Sequence, residues 1–283
     1  MADLVHIRNL SVGYGGRTVL RIDDLRVDEG QVVGIIGGNG AGKSTFVKCL
    51  LGDAPYKGTV DRSFSMRDVG VLMQDNKYSG LMRVGELASI VARRPVKDVR
   101  LASWLSEFEL EGLLNRRISA LSGGERQRMT LAMVLWLNPS VVFLDEMTTG
   151  LDYENRLKLL RTVQRRTVGK TVFDVTHYFE ELEGWADRIL VFRDGIPLFW
   201  GSVAELERLN PHYSVIQTEQ QTQAERRHRC FVDKTGSRFL VADDGSEEAA
   251  IDRELTAERV AHSVKRRNIY SSYVLLTGTE QKQ

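Results

Sequence analysis

A glycine-rich stretch near the N-terminus constrains the fold of this chain more than any other feature. Residues 37–44 read GGNGAGKS, which fits the pattern G-x-x-x-x-G-K-[ST]. The stretch follows VVGII, an apolar run typical of a buried strand, and precedes STFVKCLL, which is typical of a helix. A strand, a glycine loop and a helix in this order predict an α/β domain whose loop backbone wraps around phosphate groups.

This loop, the P-loop, also carries the side chains that a nucleoside triphosphate requires. Lys43 can reach the β- and γ-phosphates, and the Ser44 hydroxyl can ligate Mg²⁺. The N-terminus of the following helix adds a partial positive charge that favours an anion. We therefore predict a nucleoside triphosphate site formed by Gly37, Asn39, Gly40, Ala41, Gly42, Lys43, Ser44 and Thr45.

A pair of acidic residues follows a second apolar strand-like run. Residues 141–146 read VVFLDE, so Asp145 ends the run and Glu146 comes directly after it. An aspartate at this position of a P-loop domain supplies the second protein ligand to Mg²⁺, and Glu146 could polarise a water molecule. Such a pair can also be a simple helix cap. Its occurrence together with the P-loop favours the catalytic interpretation.

A second glycine motif lies about eighty residues beyond the first. Residues 121–128 read LSGGERQR, in which Ser122 is a candidate N-cap and Glu125 stands at the capping-box position. Gly123 and Gly124 leave the backbone N–H groups open at the start of a helix, which predicts a second anion site. One chain therefore carries two loops that attract phosphate.

Together, GGNGAGKST, LSGGERQR and VVFLDE resemble the motifs of the ATP-binding subunits of ABC transporters, over about residues 3–210. The resemblance implies ATP and Mg²⁺ as cofactors, and ATP hydrolysis as the activity. It also implies that two such domains face each other head to tail. Each ATP then lies between the P-loop of one subunit and the LSGG signature of the other. The expected assembly is a homodimer, or a heterodimer with a second ABC ATPase.

The same resemblance assigns roles to four further residues. Tyr14 matches the aromatic residue that stacks on adenine, although a tyrosine in a turn would look the same. Gln74 matches the glutamine that contacts Mg²⁺ and the attacking water and couples to the membrane partner. Asp152, in TTGLD, matches the loop that crosses the dimer interface. His177 matches the histidine that contacts the γ-phosphate, whereas a lone histidine at a strand end is usually structural.

Two positions depart from the family pattern. Met147 stands where the family usually has a proline after the acidic pair, and Met73 stands where a proline commonly precedes the glutamine. Both changes affect the backbone and remove no catalytic group. We therefore expect the ATPase activity to survive.

Several features favour the ABC-2-type exporter group within this family. The helical insert between Gln74 and Leu121 is short, THYFEE resembles the THYMEE of exporters, and the ending RRNIYSSYVLLTG faintly resembles theirs. The expected partner is an integral membrane permease subunit, bound through residues 75–90. The alternatives are an importer ATPase and a soluble regulatory ABC ATPase that grips a macromolecule. The candidate contacts, which could equally pack inside the helical subdomain, are Tyr78, Leu81 and Met82.

Charge and hydropathy limit the remaining partners. The net charge is +1 over 283 residues, so we expect no nucleic acid partner. No run approaches eighteen apolar residues, so a membrane role must come from a partner. Two distant cysteines without metal-ligand spacing favour a reducing compartment. The expected location is cytoplasmic, peripheral on the cytoplasmic face of the plasma membrane.

The predicted fold class is α/β, with a P-loop NTPase core, an antiparallel β subdomain, an inserted helical subdomain and a small C-terminal α/β appendage. The ATPase domain is predicted over residues 1–216, with the helical subdomain at about 75–138. A polar stretch at 217–227 predicts a linker, and 228–283 predict the accessory domain. Within it we expect a hairpin around Lys234–Ser237, a helix at 256–268 and a last strand at 269–278.

Overall fold

The computed structural model describes residues 3–73, 78–233 and 235–281. The chain divides into two compact units. The first comprises Met1–His177 and Asp194–Ile196, and the second comprises Tyr178–Arg193 and Pro197–Gln283. This division differs from the predicted boundary at residues 217–227, and it runs through the peptide bond that joins His177 to Tyr178.

The first unit has the predicted alternation of strands and helices, and the predicted α/β fold class is confirmed. Its strands are β1 (Asp3–Tyr14), β2 (Arg17–Asp28), β3 (Val32–Gly37), β4 (Lys57–Arg62), β5 (Val69–Leu72), β6 (Val141–Asp145) and β7 (Thr171–Val175). Its helices are α1 (Lys43–Leu51), α2 (Val84–Ala92), α3 (Val99–Glu107), α4 (Gly123–Trp136) and α5 (Tyr153–Arg166).

Strands β2, β1 and β4 form the predicted antiparallel sheet, in that order. Strands β1 and β2 pair from Tyr14 opposite Arg17, so only two residues form the turn between them. These are Gly15 and Gly16, both with positive φ (57° and 81°), as a tight hairpin turn of the primed type requires. The hairpin places Tyr14 at the tip of the sheet, where its ring is 52% exposed.

Strands β5, β6, β7 and β3 are parallel neighbours in that order. Every residue of β3, β6 and β7 is buried, which explains why these strands appear in the sequence as continuous apolar runs. Because parallel strands end at the same edge of a sheet, Gly37, Asp145 and Val175 lie at a common edge. This edge carries the P-loop and the acidic pair.

The second unit contains strands β8 (Arg188–Arg193), β9 (Ile196–Ser202), β10 (Ser214–Thr218), β11 (Cys230–Val232), β12 (Arg238–Ala242), β13 (His262–Arg266) and β14 (Thr279–Gln281). Strand β9 begins at Ile196, the last residue of the first unit. The helices of the second unit are α6 (Val203–Arg208), α7 (Gly245–Ala257) and α8 (Ile269–Thr277). Five strands form one antiparallel sheet in the order β13-β10-β12-β11-β14.

The hairpin predicted for the accessory region is confirmed by the antiparallel pairing of β11 with β12. Strand β10, an inner strand of the sheet, reaches Thr218, so the polar stretch predicted as a linker begins inside a strand. The residues that make β10 a core strand are Val215 and Ile216, which are fully buried on opposite faces of the sheet.

Two other predictions for this region are wrong. The sequence predicts a helix over residues 256–268, but the helix is α7, which begins at Gly245, eleven residues earlier. Asp244 caps it by accepting from the Ser246 and Glu247 N–H groups. Residues 269–278 were expected to form a strand, but they form α8. Asn268 starts this helix through a capping box with Ser271.

Candidate functional site

The P-loop leads from β3 into α1 through a glycine in a left-handed backbone conformation, which other residue types rarely adopt. Gly42, the N-cap of α1, has φ +106°, and no side chain caps this helix. The loop is wound by two backbone bonds, from Ala41 N–H to the Gly38 oxygen and from Phe46 N–H to the Gly42 oxygen. The first N–H groups of α1 are therefore available to an anion rather than to a side-chain cap.

Lys43 folds back across its own loop. Its Nζ donates to the carbonyl oxygens of Gly37 (2.7 Å) and Gly38 (3.1 Å), and the residue is only 7% exposed. Burial lowers the pKa of Lys43, and the carboxylates of Glu146 and Asp145 oppose that shift. The carbonyl oxygens hold the ammonium group at the loop, where phosphate oxygens can replace them as its partners.

The backbone of Glu146 is held in an unusual conformation at the end of β6. Its φ is +52°, which is uncommon for a residue other than glycine. The Glu146 N–H donates to the Val175 oxygen (2.8 Å), and the Gln127 side chain donates through Nε2 to the Glu146 oxygen (2.9 Å). Two contacts from other elements thus fix the direction in which the Glu146 side chain leaves the strand.

The Glu146 carboxylate has a defined partner on each oxygen. His177 Nε2 lies 3.1 Å from Oε1, and the Thr149 hydroxyl donates to Oε2 at 3.2 Å. Burial and the charge of Lys43 lower the pKa of His177, against the opposing effect of Glu146. The neutral imidazole is therefore favoured near pH 7, and it can donate one hydrogen bond to the carboxylate.

Asp145 lies beside this group and is 6% exposed. Burial and the neighbouring Glu146 charge raise the pKa of Asp145, whereas Lys43 and Lys48 lower it. The raised pKa shows that the negative charge of this buried carboxylate, next to a second carboxylate, is not fully compensated by nearby positive charge. The surroundings of Asp145 are therefore suited to a metal ion.

These residues surround one cavity of about 360 Å³. It brings together the hairpin tip, the P-loop, the end of β6 and the end of β7. None of Ser122, Gly123, Gly124 and Asp152 lines this cavity among the described residues, and Gln74 lies outside them. The lining residues are Tyr14, Val19, Asn39, Gly40, Ala41, Gly42, Lys43, Ser44, Thr45, Asp145, Glu146 and His177.

The residues present fit Mg²⁺ held mainly by substrate. Ser44 and Asp145 both line the cavity, and each offers an oxygen ligand. Within the described ranges, no group of three or more His, Cys, Asp or Glu side chains could hold a metal ion. Mg²⁺ in sites of this kind takes one or two protein ligands, with phosphate oxygens and water completing its coordination.

The signature loop has its own geometry. The Ser122 hydroxyl accepts from the Glu125 N–H (3.2 Å), and the Glu125 carboxylate accepts from the Ser122 N–H (2.8 Å). A side chain at Gly124 would lie 2.3 Å from Leu151, whereas one at Gly123 would meet open space. Gly124 therefore allows the TTGLD loop to pack against α4, and Gly123 leaves its outer face free for an approaching group.

Asp152 is the N-cap of α5. Its carboxylate accepts from the Asn155 N–H (3.0 Å) and from Asn155 Nδ2 (2.6 Å), and these bonds lower its pKa. The contacts that Gln127 and Thr149 make with Glu146 are not predictable from the sequence. Both lie inside motifs that were recognised, LSGGERQR and TTGLD, but no spacing rule indicates which of their side chains turn towards β6.

The candidate permease-binding segment, residues 75–90, includes residues 75–77, which are outside the described residues. Tyr78 is half-buried and its hydroxyl donates to Thr130 Oγ1 on α4 (3.1 Å), and burial raises its pKa. Met82 is half-buried, whereas Leu81 is 77% exposed. Tyr78 thus packs within the helical part of the unit, and of the three candidate contacts Leu81 is the one that lies at the surface.

The fold and the cavity define a P-loop nucleotide-binding protein. Comparison with known families narrows this class. The family model described as ABC transporter matches residues 20–149, which include the P-loop, the signature loop and the acidic pair. The chain belongs to the ATP-binding proteins of ABC transporters. It is accordingly an ATPase that uses ATP with Mg²⁺.

Similar curated proteins include both export and import subunits. The Nod factor export ATP-binding protein I of Rhizobium etli is 33% identical, over 68% of this chain and 66% of its own length. The energy-coupling factor transporter ATP-binding protein EcfA1 of Leuconostoc mesenteroides is 31% identical, over 73% and 83%. The zinc import ATP-binding protein ZnuC of Jannaschia sp. is 34% identical, over 66% and 78%.

Solved structures agree on the fold. A structure described as an ATP-binding subunit of an ABC transporter matches with a TM-score of 0.64 and 24% identity, over 72% of this chain and 92% of that one. A bacterial Atm1-family ABC exporter with ATP bound matches with a TM-score of 0.65 and 23% identity, over 73% and 40%. None of the helices in the described part of this chain combines the length and apolar character needed to cross a bilayer.

Proposed function

We propose that this chain is the ATPase subunit of an ABC exporter, peripheral on the cytoplasmic face of the plasma membrane and bound to an integral membrane permease. One observation carries the proposal. The P-loop, the acidic pair and His177 line the cavity, whereas none of the described residues of the signature loop lines it. A second subunit that supplies its own signature loop would complete the site.

ATP binding follows from the lining of the cavity. Tyr14 stacks on the adenine ring, and the N–H groups of the P-loop and the start of α1 bind the phosphate oxygens. Lys43 exchanges the carbonyl oxygens of Gly37 and Gly38 for the β- and γ-phosphates. The residues that would hold Mg²⁺ are Ser44, Asp145 and Gln74, and the ion, when bound, offsets the charge of the phosphates.

Hydrolysis rests on Glu146. Its carboxylate accepts a proton from a water molecule, whose oxygen bonds to the γ-phosphorus as the bond from that phosphorus to the bridging oxygen breaks. ADP and inorganic phosphate are the products. His177 holds the carboxylate through the Nε2 to Oε1 contact of 3.1 Å and also reaches the γ-phosphate. Thr149 donates to the same carboxylate, and Gln127 donates to the backbone oxygen of Glu146.

The dimer pairs this chain with a second copy or with a second ABC ATPase, since each chain has only one P-loop and one signature loop. The Ser122 hydroxyl and the open N–H group of Gly123 bind the γ-phosphate of the ATP held by the other subunit. Asp152, exposed at the start of α5, lies on the segment that crosses the interface. ATP binding therefore closes the dimer, and hydrolysis reopens it and resets the permease.

Export is supported by the THYFEE motif at residues 176–181 and by the similarity to the Nod factor export protein. The similarity to the zinc import protein favours a second candidate, an importer ATPase. A soluble regulatory ATPase that grips a macromolecule is the third. The three candidates share the nucleotide chemistry and differ in the partner.

The test is detergent co-purification of the tagged chain from its native membranes, with mass-spectrometric identification of stoichiometric partners. We expect a hydrophobic permease subunit with several spanning segments, of an export type. A permease of an import type would establish the importer instead. Recovery only from the soluble fraction, with ribosomes, nucleic acid or no partner, would contradict the transporter proposal.

A further inference from the structure

An aromatic cluster lies two residues beyond His177. The ring of Phe179 packs against two tyrosines of α8, with centroid distances of 5.2 Å to Tyr270 and 4.9 Å to Tyr273. Phe179 lies in a single turn of 3-10 helix, Phe179–Glu181, which has too few hydrogen bonds to be stable by itself. The α8 tyrosines therefore help to hold this turn in place, together with the buried Glu181 and Leu182. We call these three rings the aromatic clamp.

The side of the clamp formed by α8 is fixed to the five-stranded sheet β13-β10-β12-β11-β14, which we call the accessory sheet. The Tyr270 hydroxyl donates to Gln217 Oε1 on β10 (3.2 Å), and its ring lies 6.2 Å from that of Phe239 on β12. Burial and nearby carboxylates raise the pKa of Tyr270 to about 12, so the hydroxyl stays a donor. The sheet and the clamp thus form a continuous set of contacts.

Both ends of α8 are also tied to neighbouring segments of the second unit. Near its start, Asn210 Nδ2 donates to Ser271 Oγ (3.2 Å), and at its end Arg193 Nη1 donates to the Thr277 oxygen (3.2 Å). Arg193 ends β8, and Asn210 follows α6. The helix that grips Phe179 therefore has little freedom to shift relative to the rest of this unit.

Chain connectivity carries the effect to the catalytic residue. His177 is the last residue of the first unit before the chain enters the second at Tyr178. Two residues of extended chain span at most about 7 Å, so the position of Phe179 limits how far His177 can move from it. His177 must at the same time keep its 3.1 Å contact with Glu146. A segment held at one end and functional at the other is suited to setting the position of the imidazole.

We propose that Phe179, Tyr270 and Tyr273 are positioning residues for His177, through which the accessory sheet sets the rate of ATP hydrolysis. The proposal rests on the role given to His177 in the proposed function. An aromatic cluster can also be ordinary core packing. Here, however, Phe179, Tyr270 and Tyr273 remain half-buried, and the cluster grips the segment that directly follows His177.

The experiment measures steady-state ATPase kinetics of the purified full-length chain in Phe179→Ala and Tyr270→Ala. Misplacing a catalytic group slightly costs rate rather than binding, so we expect kcat to fall about tenfold. The KM for ATP and the affinity for a non-hydrolysable ATP analogue stay unchanged, because Tyr14 and the P-loop belong to the first unit. Tyr270→Phe keeps the ring and restores kcat, although it loses the hydroxyl bond to Gln217.

Tyr213→Ala is the matched control. Tyr213 is a half-buried aromatic residue of the same unit whose ring is contacted by Arg266 (4.9 Å) rather than by Phe179. We expect it to lower the melting temperature as Tyr270→Ala does, with kcat unchanged. A normal kcat in folded Phe179→Ala and Tyr270→Ala would overturn the proposal. An equal loss of kcat in Tyr213→Ala would overturn it too, since general instability would then be the cause.

His177→Ala separates this proposal from the proposed function. If His177→Ala loses turnover while both clamp variants are normal, the clamp is wrong and the catalytic assignment stands. If His177→Ala turns over normally, the catalytic assignment is wrong and the clamp has nothing to position.

Discussion

The two glycine loops of this chain both begin a helix, yet they treat the helix N-terminus in opposite ways. At α1, the N-cap is Gly42 and no side chain occupies the first N–H groups. At α4, Ser122 and Glu125 form a reciprocal capping box that already satisfies two of them. The P-loop is thus open to phosphate within one chain, whereas the signature loop is stable with no phosphate present.

This difference explains how the two candidate anion sites of one chain can have separate roles. The P-loop has a buried lysine, a positive-φ glycine and a cavity, so it can bind ATP alone. The signature loop has no lysine, and its caps make it self-sufficient until a phosphate approaches Gly123. We therefore expect the P-loop to bind ATP first and the signature loop to contact nucleotide held by another subunit.

The largest expected effect tests the chemistry on the P-loop side. Glu146→Gln removes the proton acceptor while keeping the shape of the side chain, so turnover should fall by about 10²- to 10⁴-fold. ATP binding should persist, and the closed dimer should accumulate. Turnover and size-exclusion profiles with ATP would check this, with Glu154→Gln, an exposed acid on α5, as control. Normal turnover in Glu146→Gln would remove Glu146 from its role.

The next effect concerns binding itself. Lys43→Ala deletes a charged hydrogen-bond donor to the phosphates, which corresponds to about 1.5–3 kcal/mol, or roughly ten- to a hundred-fold weaker ATP binding. Titration of the purified variant with ATP would measure the loss. Lys48→Ala, an exposed lysine on the same helix, should bind ATP normally. Unchanged affinity in Lys43→Ala would contradict the assignment of the P-loop.

A smaller effect is expected at the signature loop. Ser122→Ala should leave ATP affinity unchanged, because Ser122 does not line the cavity, and should lower turnover about tenfold by weakening the completed site. The lost cap should also cost about 1 kcal/mol of folding free energy. ATP titration would measure the affinity, steady-state assays the turnover, and thermal melting the loss of stability.

A second capping box supplies the control for this variant. Ser202 and Glu205 make the same pair of bonds at the start of α6. Ser202→Ala should lose the same cap and keep full turnover. If the two serine variants behaved alike in turnover, the signature loop would have no function beyond capping.

The smallest expected effect is a pH dependence of the stability that the Ser122–Glu125 capping box contributes. Hydrogen bonds from the Ser122 backbone and hydroxyl, with Arg116 and Arg128 nearby, lower the pKa of Glu125. A lowered carboxylate pKa stabilises the fold above the unfolded pKa near 4.5, and the contribution is lost as pH falls through the folded value. Glu125→Gln should therefore lose less stability than the natural chain on acidification below pH of about 4.5, as urea unfolding would report. Equal losses would contradict this.

The predictability of the two units differs for a physical reason. In the first unit, each motif ties a residue type to a backbone need, such as Gly42 with φ +106° or Asp145 at the end of a buried parallel strand. Such requirements are local, so the sequence alone predicted the P-loop, the acidic pair and the signature helix. The lateral contacts of Gln127 and Thr149 with Glu146 arise only when distant elements pack, and they were not predictable.

In the second unit, local signals pointed the wrong way for α8. Ile269, Tyr270, Tyr273 and Val274 favour a strand by residue type, and the helix contacts partners on several sides, which removes a clear helical period. The capping box at Asn268 and tertiary packing decide the outcome. The sequence of the accessory sheet contains no motif and only weak local signals. The aromatic clamp was therefore not predictable from it.

Subunit mixing would show whether the two loops of one chain serve different ATP molecules. Lys43→Ala and Ser122→Ala chains are each assayed alone and then mixed in equal amounts with ATP. In a mixed head-to-tail dimer, the intact Lys43 of one subunit meets the intact Ser122 of the other. With random pairing, about a quarter of the natural activity should return. If mixing restores no activity beyond the sum of the two variants, the loops act on one phosphate within one chain, and the account is wrong.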